Sequence, residues 1–241
     1  MSWPLEACTV VFGKKDSGKK EPVEEPPVVP VAWERVRDFV VGNTERPVTA
    51  KRTKASFGPL AVRVPKNGRD LRVFAPCAYV GHVGESGEDY ALYEDADCLR
   101  VLAVVDRGGR EVDGERHHEV RDGQGRLIGT LRRVPPRSRP FKHTWRIDQP
   151  GHPTVVGRNE WASGDAKAFT YRMVDKGFTE ALNAVTSLGA EGGDTRAKPR
   201  TLEWRADDKV VMVSESSKKV TVKADWVDRR LAFAFALIGD R

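Results

Sequence analysis

No apolar run in the 241-residue chain approaches the roughly 20 residues that a membrane-spanning helix needs. The longest, Leu231 to Ile238, is less than half that length, so a crossing by helices is not expected. Cysteine is scarce. Cys8, Cys77 and Cys98 form an odd, scattered set without a CxxC pair, which argues against a disulfide framework and for a reducing compartment. The amino end, MSWPLEACTVVFGKK, lacks a basic leader ahead of an apolar core, so the expected location is the cytoplasm, with peripheral membrane contact left open. Charge of one sign is in only modest excess: 41 Lys plus Arg against 35 Asp plus Glu leave +6, which permits an anionic partner without requiring one. With 39% apolar and 32% charged residues, neither wholesale disorder nor a low-complexity class fits.

What is present divides the chain into three stretches. EPVEEPPVVP, residues 21 to 30, places four prolines among acids and aliphatics, and reads as an extended linker closing a basic tail over residues 1–30. Residues 31–70 form an approach segment, in which Trp33, Val36, Phe39 and Val40 at helical spacing, stopped by Gly42-Asn43, predict a short helix. Residues 71–241 carry short β-type runs separated by turn residues. VLAVVDRGGREV and HEVRDGQGRLIGTL read as hairpins turning at Asp106 to Gly109 and at Asp122 to Gly125. Further turns are expected at Asp148 to Gly151, at Asp207-Asp208 and at Ser214 to Ser217. One amphipathic helix interrupts the pattern, with Phe178, Ala181, Leu182, Val185 and Leu188 on one face and Gly189 as its stop. Many short strands with antiparallel links predict an all-β sandwich or barrel.

DWVDRRLAFAFALIGDR supports two readings. As a strand it alternates Leu231, Phe233, Phe235 and Leu237 with three alanines; as a helix it is capped by Asp225 and carries Asp228 in its first turn. A helix apolar on every side has to be buried on every side, which the inside of a closed sheet provides. In that reading Trp226, Leu231, Phe233, Phe235 and Leu237 form a core helix.

Three stretches resemble the tubby-like family, which includes the tubby carboxy-terminal domain, the plant LURP-one-related proteins and the phospholipid scramblases. They are DYALYEDADCLRVLAVVDRGGREV with HEVRDGQGRLIGTLRRV, then FKHTWRIDQPG, then DWVDRRLAFAFALIGD. The resemblance implies a closed antiparallel barrel of about twelve strands around a central carboxy-terminal apolar helix. It also implies a non-catalytic module that binds anionic phospholipid or phosphoinositide headgroups, although functions in the family diverge. The scramblase cysteine cluster and proline-rich array are absent here, and no lipid-binding position is carried over from the family.

The chemistry-bearing candidate is RLIGTLRRVPPRSRPFKHTWR, residues 126 to 146, which holds no acid. Arg132, Arg133, Arg137, Arg139, Lys142 and Arg146 are its candidate anion- or lipid-binding residues, projected by a hairpin stiffened by Pro135, Pro136 and Pro140. Arginine suits phosphate because its planar fork makes two parallel hydrogen bonds. The plain alternative is a solvated hairpin balanced by Glu115, Glu119 and Asp122.

Other candidates are weaker. GKKDSGKK has GxxxxGK spacing but offers Lys20 where a phosphate loop needs Ser or Thr, and the prolines that follow cannot open a helix. His117 and His118, adjacent on a strand, point to opposite faces and cannot share a metal, and His82, His143 and His152 stand singly. Ser214, Ser216 and Ser217 lack a nucleophile-elbow context, and Glu94, Asp95 and Asp97 read as turn acids. Trp145, Trp161, Trp204 and Trp226 read as core rather than a base-stacking platform, which disfavours nucleic acid. No metal, cofactor or catalytic residue is therefore assigned. The two other functions weighed are a protein-interaction or scaffold role using residues 1–30, and scramblase-like lipid transport.

Overall fold

A computed structural model describes residues 26–84, 87–136, 143–159, 200–216 and 218–239. The first half of the chain supplies β1 (Asp38–Arg46), β2 (Ser56–Lys66), β3 (Val73–Val83), β4 (Asp89–Tyr93), β5 (Val101–Val105), β6 (Arg110–Val112) and β7 (Glu115–Asp122). The second half supplies β8 (Leu127–Val134), β9 (Thr144–Asp148), β10 (Val155–Asn159), β11 (Thr201–Ala206), β12 (Lys209–Glu215), β13 (Lys219–Val222) and the helix α1 (Arg229–Ile238).

The strands form a closed antiparallel barrel. Each pairs with its neighbour in sequence from β1 to β5 and from β7 to β13, β13 returns to β1, and β5 pairs with β7. That makes a ring of twelve around a carboxy-terminal helix, the architecture expected above, and closure leaves the ring without an open edge. The seam rests on Phe39 opposite Val220 and on Ala103 opposite Asp122.

The helical reading of the closing segment holds, and the reason is visible in the packing. Leu231, Phe233, Phe235 and Leu237 are buried, and so are the intervening alanines. Alternation along a strand would have exposed one of the two sets. The Phe233 ring meets Phe39 edge-on at 4.8 Å, while Phe235 meets Trp204 at 4.5 Å and Trp145 at 5.6 Å. The indole of Trp204 donates to Ser214 Oγ at 3.0 Å, so this buried polar atom is satisfied. Close approach needs a glycine on the wall: a Cβ on Gly129 would stand 2.5 Å from the Asp148 carbonyl oxygen and 3.0 Å from Leu231 Cδ1. Burying the four large helix side chains contributes about 1.5–3 kcal/mol each.

Five expectations are corrected. The helix starts at Arg229, with Asp228 rather than Asp225 as its N-cap, its side chain accepting from the Arg230 N–H. Trp226 accordingly lies in the turn before the helix, stacked on His152 at 4.8 Å. Residues 33–35 make only a turn, and the chain then enters β1, because Phe39, Val40 and Val41 find partners on β13 and β2 that outweigh their helical spacing. The barrel therefore begins at β1 and not at residue 71.

The fifth correction concerns VLAVVDRGGREV, which is not a hairpin. β5 and β6 run in the same direction along one edge of β7, and Asp106 to Gly109 bulge between them. The true turn is Asp113-Gly114, whose φ angles of 51° and 76° suit a two-residue hairpin loop. The helix expected around residues 178–189 lies outside the described residues, as do residues 1–25 of the basic tail, Cys8 among them, and Trp161. Among the described residues no helix is long and apolar enough to cross a membrane.

Candidate anion-binding site

Strand alternation divides the arginines that the sequence places together. His118 and Val120 on β7, and Gly129 and Leu131 on β8, are buried on the barrel side. A period of two gives Arg116 and Arg133 the same inward parity, one step past the packed interior, where both are exposed. Arg132 and Arg146 take the opposite parity and stand directly across from each other on the outer face.

The two outer arginines are not equivalent. Arg132 donates from Nε to Asp148 at 2.5 Å and from Nη1 to Glu115 at 3.0 Å. Burial pulls its guanidinium down, but the bonds and charges of Asp148 and Glu115 outweigh this and hold it above its ordinary value. Arg132 is thus neutralised within the fold. Arg146 keeps a buried Nε with no hydrogen-bond partner among the described residues. Arg137, Arg139 and Lys142 lie outside the described residues.

Arg116 and Arg133 are direct register partners, and with Glu111, Gly114, Pro135, Pro136 and His143 they line an open cleft of about 440 Å³ at one end of the barrel. Arg133 Nη2 lies 3.4 Å from His143 Nδ1. The His143 carbonyl in turn accepts from Arg200 Nη2 at 2.6 Å. Glu111 is the register partner of Arg116 on β6, yet among the described residues no carboxylate reaches ion-pair distance of either Arg116 or Arg133.

Beneath the cleft, His118 is buried against Trp145 at 5.9 Å, with Nδ1 2.9 Å from the Asp106 carbonyl oxygen. Burial lowers its pKa below the ordinary 6.5, and Arg116 and Arg133 add to the effect against the opposing pull of Asp106. His117 faces outward, with Nε2 3.7 Å from Glu115, so the adjacent pair does split between the two faces.

The remaining candidates serve the fold. Asp95 accepts from the Leu99 and Arg100 N–H groups, and those bonds hold its carboxyl below the usual range. Cys77 is buried, which pushes its thiol up to about 12 and keeps it protonated. Trp145 and Trp204 are core residues.

Sequence reading missed Arg116, Glu111 and Gly114. Counting outward from the Asp122–Gly125 turn would have set Arg116 opposite Arg132; the register shift between Val120 and Arg121 moves it to Arg133, and the false hairpin drew attention to Gly108-Gly109 and hid the Asp113-Gly114 turn. Arg63 was missed as well. Wholly buried, it donates to the carbonyl oxygens of Gly42, Phe74 and Pro59 and to Glu45, a structural role that no spacing announces. No family model matches this chain, and no curated protein or solved structure matches it.

Proposed function

We propose that the barrel is a non-catalytic module that binds anionic phospholipid headgroups, phosphoinositides among them, peripherally at a membrane surface, as the resemblance to tubby-like proteins implies. The observation that supports this reading is the pair Arg116 and Arg133, opposed across two strands and lining a cleft with no carboxylate partner. Like charges directly opposite each other destabilise a sheet, an effect that Glu111 beside Arg116 on β6 offsets in part and that a bound anion relieves further. The chain runs from Pro136, on the wall of this cleft, straight into Arg137, Arg139 and Lys142. Each basic residue near an anionic surface contributes on the order of 1 kcal/mol, so Arg116 and Arg133 together support reversible binding.

Co-sedimentation with vesicles tests the proposal. The protein is expected to pellet with phosphatidylcholine vesicles that contain phosphatidylglycerol but not with phosphatidylcholine alone. High salt should release it, and Arg116→Glu/Arg133→Glu should abolish the interaction. Equal pelleting with both vesicle types would sink the idea.

A further inference from the structure

We infer that the cleft selects a terminal phosphomonoester over a phosphodiester, an inference that rests on its being the anion site proposed above. The argument begins with how the two guanidiniums are placed. Arg116 and Arg133 occupy directly opposite positions on β7 and β8, and in an antiparallel pair such residues stand about 4.5–5.5 Å apart at Cα. Each presents a fork that binds two oxygens side by side. A monoester offers three terminal oxygens and a charge near −2, enough to engage both forks at once. A diester has two free oxygens and a single charge, so one fork is left short or both share the same atoms.

The surroundings point the same way. His143 Nδ1 lies 3.4 Å from the Arg133 guanidinium, and the His143 backbone accepts from Arg200, so this fork has a neighbour in place beside it. Pro135 and Pro136 wall one side without contributing an N–H, which leaves recognition to the arginines. Glu111 stands directly beside Arg116 on β6 and lines the same cleft. It repels the anion and accepts from hydroxyl groups, so it favours a phosphate carried on a hydroxylated fragment. About 440 Å³ lies within the range of small-ligand pockets and exceeds what a phosphate alone fills. The outer face supplies the contrast, since there the fold answers Arg132 with Asp148 and Glu115.

A phosphomonoester comes either from a lipid such as phosphatidic acid or from a soluble phosphorylated alcohol, and the test separates the two. Full-length protein is titrated calorimetrically with glycerol 3-phosphate and with its diester counterpart glycerophosphoglycerol. In parallel it is sedimented with phosphatidic acid and with phosphatidylglycerol vesicles matched in surface charge. The expected result is a preference for the monoester of roughly tenfold or more. Loss of about tenfold is expected in each of Arg116→Gln and Arg133→Gln, the size of one charge-assisted contact, and a gain in Glu111→Gln. Because all three side chains are exposed, matching thermal transitions would show that the variants fold.

Preference seen only on vesicles assigns the ligand to a lipid; preference seen equally in solution assigns it to a free metabolite. Equal binding of monoester and diester, still lost in Arg133→Gln, overturns this inference and leaves the membrane proposal standing. Binding of glycerol 3-phosphate with no vesicle binding does the reverse. Absence of all binding overturns both.

Discussion

The two ends of the barrel use arginine in opposite ways. Where α1 begins, the guanidiniums are answered: Arg230 is gripped by Asp228 at 2.7 Å, and Arg229, buried, donates to the carbonyl oxygens of Val36, Ala224 and Val227. Arg126 pairs with Asp122 at 2.8 Å, and Gln149 brackets the turn before the helix, donating to the Trp226 carbonyl and accepting from the Asp228 N–H. At the other end Arg116 and Arg133 face each other on neighbouring strands, and among the described residues no carboxylate, Glu111 beside Arg116 included, comes within ion-pair distance of either. Charge spent on assembly is no longer available to a ligand. The end that contributes least to stability is therefore the one where recognition is sought, and substitutions at the two ends should separate the properties.

The interior sets the upper limit of this contrast. Phe235→Ala removes a ring that touches both Trp145 and Trp204, and should cost about 3–5 kcal/mol in urea unfolding. If it costs less than a surface substitution, α1 is not the core of the barrel. Next comes Arg229→Met, which strands three backbone carbonyls at the helix entrance; about 3 kcal/mol is expected, measured the same way.

Asp228→Ala loses the N-cap, and a drop of about 1 kcal/mol should appear as a lowered thermal midpoint. At the cleft, Arg133→Gln should change stability by less than about 0.5 kcal/mol in either direction, since no acid is left unpaired. A loss as large as that of Arg229→Met would erase the distinction between the ends.

The smallest effect is one of pH. Because the folded-state pKa of His118 lies below 6.5, the unfolded chain binds its proton more readily. Its contribution is complete above pH 6.5 and is lost as pH falls toward the folded value. His118→Gln should flatten the decline in stability between neutral and mildly acid pH, and an unchanged slope would remove His118 as its source.

Much of the barrel was legible because its strands are bounded by turn residues with a local signature. The loops at Asp122–Gly125 and at Asp207-Asp208 are set by the chain next to them. Asp106 to Gly109 carry the same signature yet form a bulge, because the pairing of β5 and β6 with a common strand is decided across the sheet. The same limit applies to the site. Composition finds a basic stretch, but alternation sends Arg132 and Arg133 to different faces, and only register brings in Arg116 from the preceding strand. Phe39 and Val40 show the reverse failure, a helical spacing overruled by partners some 180 residues away.

The position of α1 in chain order governs when the barrel becomes whole. It follows all the described strands, and β1 waits for β13 to close the ring. At about 5–20 residues per second, a ribosome needs roughly 10–40 s to go from β1 to the end of the helix. Until then the strands have neither their last neighbour nor the helix that fills them, and Phe39, followed in turn by Trp145 and Trp204, lacks the helix rings it packs against in the finished barrel. Closure of the ring and filling of its interior therefore both fall at the end of synthesis.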